Sequence, residues 1–186
     1  MGEALEKFHP LDRRPIKIFF QDEGRFGRMT DVYKCWCPKG IRPLLKKALE
    51  REFTYVYSAV EPLTGDNFSL ILPEVNNISM SLYLKELSSF YFGYRIVIVM
   101  DSASFHSDLN AVDIDNISIV HLPAYSPELN PVEHLWDYLR ENYFGNRYWK
   151  TIEELEIYLE NILRDVHKDK LTLKSLTGFD WINQEI

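Results

Sequence analysis

The segment Arg95–Asp101, Arg-Ile-Val-Ile-Val-Met-Asp, constrains the fold more than any other part of the chain. Its run of five apolar residues, most of them β-branched, predicts a short strand that is buried on both faces of a sheet. The carboxylate at its C-terminal end lies where α/β sheets form their ligand sites. A second such segment, Ile16–Gln21, ends at Asp22 and Glu23. If the two strands are neighbours, their carboxylates repel each other and require a shared proton or a cation.

Composition limits the class of protein. The chain has 186 residues, of which 46% are hydrophobic and 14% aromatic, so we expect one packed domain with a helical appendage. The net charge of −7 argues against a free-standing nucleic-acid binder, because such proteins usually carry a basic surface. We find no secretory signal and no apolar run near the roughly 20 residues of a membrane helix, so we expect a cytoplasmic protein with no membrane partner. The cysteines, Cys35 and Cys37, are interpreted as reduced thiols.

Hydrophobic periodicity and turn residues predict the other elements. We expect an irregular lead-in at 1–15, a long turn over 24–31, strands at 32–37, 52–60, 68–72 and 117–122, and helices at about 79–91, 131–143, 152–167 and 173–176. Residues 52–72 are predicted to form a hairpin, and a helix between two strands is typical of a parallel crossover. The order predicts an α/β domain with a mixed sheet and helices on its faces.

Three acids are the candidate catalytic and metal-binding residues: Asp22, Asp101 and Glu133. Two follow strands, and the third lies in the first turn of a helix that begins near Asn130 and Pro131. Oxygen ligands of this kind suit Mg²⁺ or Mn²⁺, and two such ions can stabilise both oxygens of an in-line phosphoryl displacement. The residues therefore predict a two-metal site for phosphoryl transfer.

Each acid also has a structural interpretation. Asp22 could be a turn residue, and Asp101 with Ser102 could form an Asx-turn. Glu133 could close back on the Asn130 amide as a helix cap, which its spacing alone favours.

Accessory positions remain open. Asp137, one helical turn further on, is the alternative third ligand, and Glu23 directly follows Asp22. His106 could orient a ligand or a phosphate, or be a structural histidine. Trp136 could stack on a base, but its place in an apolar stripe favours the core.

Four sequence blocks resemble the catalytic domain of mariner-like transposases and their bacterial insertion-sequence relatives, the DDE superfamily endonuclease group. They are Phe20–Glu23, Trp36–Gly40 with Arg42-Pro43, Asp101–His106 and Leu122–Trp136. The last, Leu-Pro-Ala-Tyr-Ser-Pro-Glu-Leu-Asn-Pro-Val-Glu-His-Leu-Trp, is similar to the family signature almost residue for residue. The resemblance covers about 16–145, so we expect a catalytic domain there and a helical extension over 146–186 packed on it.

The resemblance implies a ribonuclease H-like fold with five or slightly more strands. It also implies that Asp22, Asp101 and Glu133 bind two Mg²⁺ or Mn²⁺ ions and act in catalysis, which raises Glu133 from a cap to a ligand. The implied reaction is hydrolysis of DNA at transposon ends, followed by transfer of the freed 3′-hydroxyl into target DNA. A nucleoid-associated protein, with DNA as its partner and a homodimer as its assembly, would fit this role.

The chain departs from the family pattern at several points. Ser102 replaces the usual asparagine, and the spacing from Asp101 to Glu133 is slightly short. No basic helix-turn-helix module precedes Ile16, so we expect another segment or chain to supply one. Two alternative functions remain: an idle transposase remnant with a dimerising role, and another ribonuclease H-like nuclease that acts on RNA–DNA hybrids or junctions.

Overall fold

The computed structural model describes residues 2–30, 32–101, 114–124, 126–179 and 182. Its centre is a five-stranded mixed sheet with the order β3-β2-β1-β4-β5. The strands are β1 (Ile16–Gly27), β2 (Phe53–Glu61), β3 (Asp66–Leu72), β4 (Arg95–Met100) and β5 (Ile117–His121). The helices are α1 (Gly2–Glu6), α2 (Asn77–Phe90), α3 (Val132–Leu139), α4 (Ile152–Lys168) and α5 (Lys170–Thr177). The predicted mixed sheet flanked by helices is confirmed.

The sheet has an antiparallel half and a parallel half. β1 pairs with β2, and β2 with β3, in antiparallel register. β1 pairs with β4, and β4 with β5, in parallel register. The predicted hairpin over 52–72 and the crossover through α2 are both present. Helix α2 covers one face, while α3, α4 and α5 cover the other, so each face of the sheet has its own apolar core.

β1 is longer than predicted. The glycines at 24 and 27 predicted a turn, yet the strand continues to Gly27 because β2 pairs with it along the whole stretch. The glycines serve close packing instead. A Cβ at Gly24 would lie 2.8 Å from the Trp136 ring, and one at Gly27 would lie 2.4 Å from the Phe53 ring.

The strand predicted at Val32–Cys37 is wrong. These residues have no regular secondary structure and are exposed, with Trp36 fully open to solvent. Their β-propensity has no effect because no neighbouring strand pairs with them in the described part of the chain. The lead-in also differs from its prediction, since it contains α1, and Ala4 and Phe8 are buried against the core.

The C-terminal helices begin close to their predicted positions. Helix α3 continues into one π-helical turn, Arg140–Phe144. Thr151 caps α4 by accepting a hydrogen bond from the amide of Glu154. α5 extends beyond the predicted 173–176 at both ends.

A buried ion cluster lies at the N-terminal end of β1. Lys17 is only 7% exposed, and its Nζ lies 2.6 Å from Glu61 Oε2 and 2.7 Å from Asp66 Oδ2. Lys170 also pairs with Asp66. The Lys17 ammonium lies 5.0 Å from the centre of the Tyr94 ring. Such a charge is tolerated in the interior because paired carboxylates and an aromatic face surround it.

Candidate active site at the carboxyl ends of the central strands

The strand that carries Asp22 and the strand that ends before Asp101 are neighbours. In the parallel pair β1–β4, Phe20 lies beside Val99, Asp22 is two residues further along β1, and Asp101 directly follows the last residue of β4. Phe20 belongs to the core that α3 covers, and side chains alternate between faces along a strand, so Asp22 points toward α3 as well. The adjacency on which the predicted pairing of the two carboxylates depended is therefore observed.

The chain fixes the start of α3 against β1 just before Asp22. Asn130 Nδ2 donates a hydrogen bond of 2.9 Å to the backbone carbonyl of Gln21, and Asn130 Oδ1 accepts one from the amide of Val132. Asn130 is buried, so both bonds are shielded from water. They hold the first turn of α3, which contains Glu133, beside the end of the strand that carries Asp22.

The alternative role of Glu133 as a helix cap is wrong. The backbone amide of Asn130, which a capping glutamate would bind, donates instead to the carbonyl of Pro127 at 2.8 Å. The Glu133 side chain is half-buried, and it lies close enough to Asp22 to raise the pKa of that acid. Glu133 therefore lies within electrostatic range of the acid on β1.

Asp22 has the most perturbed environment of the candidate acids. Burial raises its pKa to about 7, and the negative charges of Glu23 and Glu133 contribute in the same direction. A hydrogen bond of 2.8 Å from Trp136 Nε1 to Asp22 Oδ2 acts in the opposite direction, because it stabilises the carboxylate. A pKa this high is characteristic of functional carboxyl groups.

The three candidate acids do not form a tight cluster. In the described part of the chain, no three His, Cys, Asp or Glu side chains are gathered closely enough to hold a metal ion. Asp101 is exposed at the end of β4, whereas Asp22 and Glu133 are half-buried. His106 and Ser102 lie outside the described residues.

Of the other accessory candidates, one lies on the face of β1 opposite to Asp22, and the other lies near an arginine. Glu23 follows Asp22 on the strand and so points to the opposite face, where Gln21 Nε2 donates to its Oε1 at 2.9 Å. Asp137 is exposed, and its Oδ1 lies 3.9 Å from an Arg140 nitrogen. A ligand role for Glu23 or Asp137 stays a prediction.

Sequence reasoning missed the polar roles of Trp136 and Asn130. Trp136 is core, as predicted, at 1% exposed, but its indole N–H also binds Asp22. Asn130 accepts a bond from the Val132 amide at the start of α3, and its side chain in addition joins α3 to β1. The indication was available in the spacing, because Trp136 is three residues from Glu133 and thus near it on the helix surface. Only the fold reveals which strand these residues contact.

No helix among the residues described has the length and unbroken apolar character that a bilayer crossing demands.

Comparisons with known proteins agree with this geometry. A model of the DDE superfamily endonuclease family matches residues 17–156. The uncharacterized protein y4pE/y4sA of Sinorhizobium fredii (strain NBRC 101917 / NGR234) is 35% identical over 104 residues, which are 55% of this chain and 77% of that protein.

Solved structures share the fold at low identity. The Mos1 mariner paired end complex with Mn has a TM-score of 0.63 at 15% identity, and the Mos1 strand transfer complex has 0.59 at 17%. Each match covers 87% of this chain and 54% of the Mos1 chain, so the present chain spans about half the length of Mos1. The sheet accordingly has the ribonuclease H-like fold, and the chain belongs to the DDE superfamily endonuclease family.

Proposed function

We propose that this chain is the catalytic domain of a transposase, which uses divalent metal ions to hydrolyse DNA phosphodiester bonds at transposon ends and to transfer the strands into target DNA. One observation supports the proposal: the strand that carries Asp22 lies beside the strand that ends before Asp101, the helix with Glu133 is bonded to β1, and burial raises the pKa of Asp22 to about 7. Family membership and the ribonuclease H-like fold agree with this role. The negative charges of Glu23 and Glu133 near Asp22 would be stabilised by a cation.

The donor set fits Mg²⁺ or Mn²⁺ in its chemistry. All three candidates offer carboxylate oxygens, which hard divalent ions prefer. Burial is the largest cause of the raised pKa of Asp22, and the charges of Glu23 and Glu133 add to it. A bound cation would offset this penalty.

Each residue has a distinct part in this proposal. Asp22, Asp101 and Glu133 would hold the ions, while the Trp136 N–H fixes one oxygen of Asp22 and leaves the other for an ion. Asn130 keeps Glu133 in register with β1. Two bound ions would supply an activated water and stabilise charge on the attacking and leaving oxygens.

The partner would be DNA, at the transposon ends and in the target. Because the whole chain carries a net charge of −7, we assign recognition of the inverted repeats to a helix-turn-helix module in another segment or chain. A homodimer, located with the nucleoid, would bring two ends together.

Thermal unfolding with and without Mg²⁺ or Mn²⁺ tests the metal site. We expect the ions to raise the melting temperature of the intact protein, because ligands that bind only the folded state stabilise it. Asp101→Ala should lose this shift. Asp165→Ala is the matched control, since Asp165 lies exposed on α4 and pairs only with Lys168 at 3.4 Å in the described structure. Equal shifts in all three proteins would contradict a metal site at Asp101.

Cleavage assays with Mn²⁺ separate the three functions. A transposase domain should nick duplex DNA and lose this activity in Asp101→Ala. Preferential cutting of an RNA–DNA hybrid would favour the other nuclease class. No cleavage of any substrate, together with no metal-induced shift, would favour the idle remnant.

A further inference from the structure

We propose that a pocket at the far end of β1 binds a backbone phosphate of the DNA substrate, close to the acids. This arginine pocket is lined by Arg25, Arg140 and Arg147, together with Phe26, Phe53 and Trp149, and encloses about 340 Å³. It lies where β1 ends and β2 begins, against the π-helical turn that follows α3. The inference rests on the proposed function, because it names the part of the protein that would hold the DNA.

The pocket concentrates positive charge on an acidic chain. The whole chain has a net charge of −7, yet three arginines and no described acidic residue line the cavity. Within the described residues, neither Arg25 nor Arg147 has a carboxylate within ion-pair distance. Arg140 has only the exposed Asp137, at 3.9 Å. Such an excess of unneutralised guanidinium groups indicates an anionic ligand.

Aromatic rings hold the three guanidinium groups in place. Arg25 lies over Phe53 with 4.7 Å to the ring centre, and Arg140 lies 5.9 Å from the centre of Phe26. Arg147 lies 4.5 Å from the centre of Tyr158. A guanidinium that is stacked in this way keeps its N–H edge available, and that edge matches the geometry of phosphate oxygens. Binding a ligand therefore immobilises these side chains at a smaller loss of conformational entropy.

The position of the pocket suits a polymer that also reaches the acids. Arg25 is three residues beyond Asp22 on β1, so its side chain leaves the opposite face of the strand and lines the pocket from there. Arg140 is seven residues, about two helical turns, beyond Glu133 along α3 and its extension. Strand and helix geometry make both separations about 10 Å. Trp136 contacts β1 at Asp22 and Phe26 packs against Trp136, so the strand and the helix run side by side between acids and pocket.

A separation of about 10 Å equals about three nucleotide steps along one DNA strand, at 3.4 Å per step. A free anion would not profit from this spacing, whereas a strand with its scissile bond at the acids would place a later phosphate at the pocket.

Binding of a short duplex DNA of random sequence, measured by fluorescence anisotropy in EDTA over a series of salt concentrations, tests the inference. The test variant is Arg25→Gln/Arg140→Gln. The matched control is Arg13→Gln/Arg164→Gln, which removes the same charge from exposed arginines elsewhere on the chain. Arg25→Lys/Arg140→Lys keeps the charge but loses the planar fork. Thermal unfolding verifies that every variant is folded.

We expect the test variant to weaken DNA binding about tenfold and to lower the slope of log K against log salt by about 1. The lysine variant should retain the slope and lose part of the affinity, and the control should change binding less than about twofold. Equal losses in test variant and control would overturn the inference. Tighter binding to an RNA duplex, or equal competition by inorganic phosphate, would also overturn it.

The DNA-binding assay tests the pocket independently of the proposed metal site, because EDTA removes any contribution of metal ions. An unaltered metal-induced shift in a variant with unaltered DNA binding would refute the pocket alone. Absence of the shift in the intact protein would refute the metal site, whatever the pocket binds.

Discussion

Two stretches of β1 differ in how their charges are balanced. At the N-terminal end, Lys17 lies between Glu61 and Asp66, and the cluster is neutralised by groups of the protein itself. In the middle of the strand, just past its pairing with β4, the half-buried Asp22 lies near the negative charges of Glu23 and Glu133. Its carboxyl group is stabilised by the Trp136 N–H and by the Glu23 backbone amide. Both clusters interrupt an apolar sheet, but only the first is neutralised, and the second indicates a site for an external ligand.

The largest expected effect comes from disrupting the neutralised Lys17 cluster at the N-terminal end of β1. Lys17→Met should lower the free energy of unfolding by about 3 to 5 kcal/mol, because it leaves Glu61 buried without its cation. Lys168→Met serves as the control, since Lys168 and its partner Asp165 are largely exposed. Urea unfolding at neutral pH compares them, and the control should change stability by less than about 1 kcal/mol. Equal losses would mean that Lys17 is only a surface charge.

Removing the charge of Asp22 should have the opposite effect and raise the free energy of unfolding. In EDTA, Asp22→Asn should stabilise the protein by on the order of 1 to 3 kcal/mol at pH 8. The pKa of Asp22 is about 7 in the fold and 3.8 without it, so the folded protein retains a proton that the unfolded chain releases. Wild-type stability therefore falls as the pH rises from about 4 to about 7, and the variant lacks this fall.

Urea unfolding at pH 4, 6 and 8 measures the stabilisation by Asp22→Asn. The stability difference between variant and wild type should be smallest at pH 4 and reach its full size above pH 7. Asp165→Asn, on the exposed face of α4, should show no comparable trend. A pH-independent difference would contradict the raised pKa of Asp22.

A smaller effect should follow from releasing α3 from β1. Asn130→Ala should cost about 1 to 2 kcal/mol, because the buried Gln21 carbonyl and the Val132 amide each lose a partner. Asn161→Ala is the control, since its bond to the Ile157 carbonyl is exposed. Guanidinium unfolding compares the two variants. A loss no larger than the control's would show that packing alone holds the helix against the strand.

The sequence predicted the parts of the fold that depend on local pattern. The apolar run ending at Asp101, the hairpin and the amphipathic helices all have a period that tertiary contacts reinforce. The extension of β1 to Gly27 could not be predicted, because it depends on pairing with a strand that begins at Phe53. For the same reason, the strand predicted at Val32–Cys37 does not form, since no neighbouring strand pairs with it in the described structure.

The candidate site divides in a similar way. The apolar segments before Asp22 and Asp101 indicated two acids at strand ends, but that these strands are neighbours is known only from the fold. The bonds from Trp136 and Asn130 cross more than 100 residues of sequence, and no local pattern encodes them. These bonds depend on how α3 lies against β1, which only the tertiary structure shows.

Gly24 has a consequence for how this protein can change. The indole of Trp136 fills the space that any side chain at position 24 would need, and the same indole binds the carboxyl of Asp22. A larger residue at 24 must therefore displace the group that orients the acid. A side chain at position 24 therefore requires a compensating change at position 136, so the packing of β1 against α3 and the hydrogen bond to Asp22 can change only together.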